Sequence, residues 1–221
     1  GNVPNFAHHS LLTGPQGEAL SKRLGTLSLR DLRAQGIQPY ALLSLMARLG
    51  SSDPVELRTD MENLIEGFDI NHFGSAPTKF DVQDLFPLTG RYLQQLPLEA
   101  VADEIAALGV PADQADRFWS VTRENISTLK DLSGWWAMFR DGADPVIEEG
   151  DEDFIKEAMA MLPDMPFDES TWSSWTAAVK EATGRKGRGL FRPLRLALTG
   201  QEHGPEMAAV MPLLQVVKAQ K

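Results

Sequence analysis

The chain has 221 residues, 43% hydrophobic and 24% charged, with a formal net charge of -10 and a sequence pI near 4.9. That length holds one large domain or two to three small ones, and the composition is that of a folded globular protein. No cysteine is present, which excludes disulfides, thiolate catalysis and cysteine-bound zinc, and four scattered histidines give no metal-ligand spacing, so no metal is expected.

The acidity argues against generic polyanion binding, because nonspecific nucleic-acid affinity draws on many Lys and Arg contacts to phosphate. Any nucleic-acid role must rest on local patches. No apolar run is long enough to span a bilayer, and "GNVPNFAHHS" lacks a basic start and an apolar stretch, so neither a membrane segment nor a secretory signal is read. A cytoplasmic location is expected.

Strand signals are sparse and apolar residues recur at helical spacing, so the expected fold is mainly α. Near the start, "GPQGEALSKRLG" sets a Gly-Pro turn before Ser21, Lys22 and Arg23, a mobile loop whose cations suit a phosphate. Gln38-Pro39 opens a helix that Gly50 closes, and a second helix is expected after "SSDPVE", capped by Ser52 or Asp53. Loops around short helices follow from Gly74 to Pro97.

Short helices are then predicted over 98–108, 111–125 and 129–140. In "RFWSVTRENISTLKDL", Phe118 and Trp119 read either as core aromatics or as stacking platforms, and Arg123 and Asn125 as groups that could read a base edge. The run 141–153, "DGADPVIEEGDED", holds seven acids and no base and is expected to be a solvated linker. Helices are predicted over 153–162, from Asp168, and after Gly204-Pro205. Trp172, Trp175 and Val179 form a helical stripe expected to be core.

The strongest anomaly is "GRKGRGLFRPLRLALTG", from Gly184 to Gly200. Arg185, Lys186, Arg188, Arg192 and Arg195 crowd around glycines, with a helix expected to start at Arg192-Pro193. Such a place can dock phosphates or base edges. Equally, its arginines could simply neutralise the nearby acidic run. No nucleophile–base pair, Walker loop or dinucleotide fingerprint is readable.

In order and content, "PNFAHHSLL", "GEALSKRLGTLSLRDLRAQGIQPYALLSLMARLG", "FDVQDLFPLTGRYLQ" and "GRKGRGLFRPLRLALTGQEHGPEMAAVMPLL" together resemble the carboxy-terminal half of bacterial-type glutamyl-tRNA synthetases, class I aminoacyl-tRNA synthetases. The resemblance implies four parts. Residues 1–26 end the catalytic fold with its second ATP signature, 27–96 contact the tRNA stem, and 97–145 and 146–221 are two helical anticodon-binding domains.

By that resemblance Ser21, Lys22 and Arg23 bind ATP, with Lys22 stabilising the charge that develops as glutamate attacks the α-phosphate. Ala19 stands where the family often carries lysine. Arg195 and Met207 match anticodon-contacting positions, and Arg123 and Asn125 fall near another. Asn125 stands where members that reject tRNA(Gln) carry an arginine, which implies that tRNA(Gln) is accepted beside tRNA(Glu). Arg185, Lys186, Arg188 and Arg192 are left for the RNA backbone.

The expected parent is a monomeric glutamate–tRNA ligase using glutamate and ATP with Mg2+. The first ATP signature is not in this chain, so it is not expected to aminoacylate alone. The other readings are a noncatalytic tRNA-binding adaptor built from the same helical domains, and an acidic helical interaction domain without RNA.

Overall fold

A computed structural model of the chain describes residues 3, 4, 6–20 and 28–220. It is mainly α, 53% helical with almost no sheet. The described residues divide into two compact units. One runs to Leu96 and includes Ser127–Leu129; the other comprises Pro97–Ile126 and the chain from Lys130 onward.

In the first unit, β1 (Leu12–Thr13) pairs in parallel with β2 (Thr78–Lys79). The pairing leaves little room at Gly50, where a Cβ would lie 2.7 Å from both the Ser10 and Thr78 hydroxyls and φ is +89°. Glycine is the residue that fits. Helix α1 (Leu29–Gln35) begins at a capping box, Ser28 accepting from the Asp31 amide while the Asp31 carboxylate accepts from the Ser28 amide.

Helix α2 (Pro39–Met46) starts at its proline as expected and packs on α4 (Leu85–Gln94). Between them lie Ala41, Leu45, Leu85 and Leu88, joined by Leu32, Ile37 and Phe80. Each large side chain so removed from water contributes about 1.5–3 kcal/mol.

No helix follows "SSDPVE". Residues 54–59 are irregular, and α3 (Met61–Glu66) starts later, where the Asp60 side chain accepts from the Asn63 amide. The Ser44 hydroxyl holds the irregular stretch instead, accepting from the Arg58 amide at 2.8 Å and donating to its carbonyl at 3.2 Å. A local cap signal at Asp53 thus gives way to a tertiary anchor.

The second unit is a helical assembly of α5 (Ala102–Ala107), α6 (Ala115–Thr122), α7 (Asp131–Asp141), α8 (Glu152–Ala160), α9 (Thr171–Thr183), α10 (Arg188–Thr199) and α11 (Met207–Val210). Phe118 and Trp119 are core, 0% and 2% exposed, and Phe118 meets Trp136 and Phe139 edge-on at 5.7 and 6.0 Å. They are not stacking platforms. Residues on both sides of 145 share this unit: the Gln215 amide donates to the Phe139 carbonyl, and Arg117 pairs with Glu169 at 2.7 Å.

Helix α10 begins at Arg188, not at Arg192-Pro193, and carries Pro193 inside it. A residue-193 amide would have bonded the carbonyl of Gly189. That carbonyl accepts from Arg185 instead, at 3.3 Å.

Candidate nucleic-acid interface

The basic segment is shaped by three glycines. Gly184 ends α9 in the left-handed conformation, Gly187 turns the chain with φ +55° into α10, and Gly200 closes that helix. Along α10 the spacing is decisive. Arg188, Arg192 and Arg195 recur at i, i+4 and i+7 and share one face, while Leu190, Leu194, Ala197 and Leu198 are buried on the other.

The arginine face borders a cavity of about 440 Å3. Its apolar side is made by Trp172, Phe191 and the buried Met207; its polar side by Arg188, Arg192, Arg195, Glu202 and His203. Trp172 and Phe191 stand 6.3 Å apart at 38°, and Phe191 is 45% exposed. The size suits a small planar ligand.

Trp175 and Val179 are core as the stripe predicted, but Trp172 is only half-buried and lines this cavity, making an edge contact with Trp175 at 5.7 Å. The first aromatic of the stripe sits at the margin of the apolar face, which the spacing alone does not reveal.

Arg195 is half-buried. Its Nη1 donates to the Pro205 carbonyl at 2.8 Å, its Nε is buried without a hydrogen-bond partner, and burial pushes its pKa down. A partly desolvated guanidinium gains from any acceptor that reaches its remaining N–H groups. Gly204 makes room for it: a Cβ there would fall 2.5 Å from Arg195 Nη2 and 3.1 Å from the Trp135 ring.

The other cations differ sharply. Arg185 Nη1 bonds Asp151 at 2.5 Å, with the guanidinium 3.9 Å from the centre of the Phe154 ring. Arg192 donates to Glu148 at 2.8 Å through Nη2, with a second bond from Nη1, and to Glu202 at 2.8 Å through Nε. Hydrogen bonds to those two carboxylates hold the Arg192 pKa above its usual value.

Arg188 also reaches Glu202, at 2.8 Å, but its side chain is 80% exposed. Among the described residues Lys186 makes no ion pair, and it is exposed. The Glu202 carboxyl is pulled below its usual pKa, first by Arg192 and also by Arg188.

These pairs correct the expectation of a free acidic linker. Glu148 and Asp151 are fastened to Arg192 and Arg185, Asp144 meets Lys218 at 2.8 Å, and the Val146 amide donates to the Leu196 carbonyl at 3.2 Å. Opposite charges brought together by folding outweigh the repulsion that the linear run implies.

Elsewhere in the second unit, Arg123 and Asn125 lie on a single 3-10 turn after α6. Asn125 is exposed, its amide only 3.5 Å from the Val121 carbonyl, and Arg123 is half-buried. Ser21, Lys22 and Arg23 lie outside the described residues. Among the described residues, no group of three or more His, Asp or Glu is placed to hold a metal, and no helix is long and apolar enough to cross a membrane.

Residues 88–216 match the family model described as an anticodon binding domain, more than half of the chain. The chain belongs to that family. Arg123, Asn125, the basic segment and the cavity all fall inside the matched span of this anticodon-binding-domain protein.

Among similar proteins, glutamate–tRNA ligase 1 of Ruegeria pomeroyi is 73% identical over 216 residues, covering 98% of this chain and 49% of that protein. Glutamate–tRNA ligase 1 of Roseobacter denitrificans is 71% identical over 221 residues, covering 100% and 50%. The chain therefore spans about half the length of the curated relatives it matches. In fold it resembles the crystal structure of glutamate-tRNA synthetase from Elizabethkingia anophelis, with a TM-score of 0.72 at 23% identity over 96% of this chain and 49% of that one.

Proposed function

We propose that the chain is the tRNA-recognising half of a glutamate–tRNA ligase, acting in the cytoplasm as a monomer. The complete enzyme activates glutamate with ATP, as its Mg2+ complex, and transfers it to tRNA(Glu). The observation that carries this reading is the cavity on α10, lined by Trp172 and Phe191 together with Arg188, Arg192 and the half-buried Arg195. That pairing of an apolar aromatic wall with guanidinium groups suits an unstacked anticodon base better than a phosphate.

Arg195 reads the base edge, and Met207 packs beside a base. Lys186 and Arg188, the most accessible cations of the segment, take the RNA backbone. Arg185 and Arg192, paired with Asp151 and with Glu148 and Glu202, hold the acidic segment instead of the RNA backbone. Residues up to 26 belong to the end of the catalytic fold, where Ser21, Lys22 and Arg23 contact ATP. Residues 27–96 touch the tRNA stem, and the anticodon contacts fall in 97–145 and 146–221.

Arg123 and Asn125 form a second anticodon contact. Because Asn125 is short and uncharged, it tolerates either of two bases where an arginine would select one, and the enzyme also accepts tRNA(Gln).

A salt-dependent titration of the chain with tRNA(Glu) and tRNA(Gln) tests this. Arg195→Ala is expected to weaken binding by about 1–3 kcal/mol, the size of one lost base contact. Asn125→Arg is expected to weaken tRNA(Gln) selectively. Binding indifferent to Arg195 and to tRNA identity would remove the assigned surface.

A further inference from the structure

Glu202 is the one acid among the described residues that line the cavity, and it sits between two of the three arginines there. Its Oε1 accepts from Arg188 Nη2 and Arg192 Nε, each at 2.8 Å, while Oε2 has only a long bond of 3.4 Å from Arg192 Nη2. Its side chain is 34% exposed, so an approaching anion meets it directly. On its other side Arg192 is already neutralised by Glu148. The two pairs differ in what holds them: Arg192 keeps a second carboxylate if Glu202 leaves, whereas Arg188 does not.

We propose that Glu202 is a specificity-determining residue that suppresses indiscriminate phosphate binding at the arginine face. The inference rests on the RNA-binding reading above. Any phosphate reaching Arg188 must either displace the Glu202 carboxylate or lie beside it; a duplex, held by its phosphates alone, has to displace it, whereas a strand anchored elsewhere can lie beside it. A single strand that stacks a base against the Trp172 and Phe191 rings is held there by that base and does not need the displacement, whereas a duplex backbone has no base to offer.

Glu202 thereby converts an attraction common to all nucleic acids into one conditional on an available base. Arginine alone cannot do this, because its charge draws every phosphate equally. Displacement is confined to Arg188, since Glu148 leaves Arg192 paired throughout.

The 221-residue chain is titrated with tRNA(Glu) and with a 20-base-pair DNA duplex of arbitrary sequence, as wild type, as Glu202→Gln and as Glu157→Gln. Glu157 is exposed and does not line the cavity, so its variant makes the same charge change elsewhere. Glu202→Gln is expected to bind the duplex about threefold more tightly, on the scale of one exposed ion pair, and tRNA less than that. Its log–log salt slope on duplex should steepen by about 0.9, one added phosphate contact.

Equal gains for both ligands, or the same gain in Glu157→Gln, would overturn the proposal and leave only a net-charge effect. A wild type that binds tRNA no better than duplex would instead sink the RNA reading itself. Circular dichroism and melting of each variant verify that the comparison is between folded proteins.

Discussion

At the scale of single residues, the site depends on what glycine omits as much as on what arginine supplies. Gly204, at φ +147°, lies where a side chain would press on Arg195 and Trp135 together. Gly204→Ala should therefore lower stability by about 1–3 kcal/mol through backbone strain. It should also weaken tRNA binding by moving the Arg195 guanidinium. Denaturant melts and tRNA titration read the two effects separately; a destabilised variant with unchanged tRNA affinity would show that Arg195 is not held by this contact.

Residue chemistry was only partly legible beforehand. The five cations were conspicuous as composition, but their partners were not. Glu148 and Glu202 lie 44 and 10 residues from Arg192, and nothing local announces either pairing. Trp172 and Phe191 were hidden differently. Each lies in an apolar pattern that is otherwise core, and partial or full exposure at the rim leaves no mark on spacing.

At the scale of elements, long periodic helices were the readable part. The starts of α2 and α8 fall within a residue or so of expectation, because Pro39 and the acidic first turn of α8 are strong local signals. The start of α10 was misplaced because a proline usually marks a first turn, whereas here a side chain makes use of the carbonyl it releases. The helix expected after Pro54 failed for the opposite reason: its capping signal was present but Asp53 is engaged by His72 at 2.8 Å.

The acidic segment behaves as part of α10's surroundings, and its order should follow from those pairs. Arg192→Ala should speed hydrogen exchange at the Val146 amide severalfold, since it releases Glu148 next to the bond from Val146 to Leu196. Global stability should change by less than about 1 kcal/mol, as half-exposed ion pairs contribute little. Unchanged protection at Val146 would mean the backbone bond alone fixes the segment.

At the scale of the whole molecule, the charge balance sets the response to pH. Asp168 accepts hydrogen bonds from Ser170 and Thr171 at the start of α9, and these, with the Ser170 hydroxyl foremost, hold its pKa below 3.8. Glu202 is likewise held below 4.5 by Arg192. A carboxyl whose folded pKa is depressed stabilises fully above its unfolded value and loses that contribution as pH falls through the folded one.

Stability should consequently be level from neutrality down to about pH 4.5 where these groups are concerned, then fall with further acidification. Asp168→Asn should flatten that acid limb. His72 acts with the opposite sign, because its bond to Asp53 raises its pKa above 6.5; its contribution is complete below that value and fades as pH rises through the folded pKa. Melting temperatures of wild type, Asp168→Asn and His72→Gln across pH 3–9 check both limbs. A variant whose curve parallels the wild type at its own end of the range would remove that residue from the account.

Pro193 carries a consequence of its own. By forgoing one amide inside α10, it leaves a main-chain oxygen that a guanidinium from the preceding loop occupies, so helix and loop are stitched by an omission. A better helix former at this position would regain the intrahelical bond and compete with Arg185 for that oxygen, leaving Arg185 to Asp151 and the Phe154 ring. The imperfection of the helix thus adds one tie to the loop that leads into it, beside those to Asp151 and Phe154.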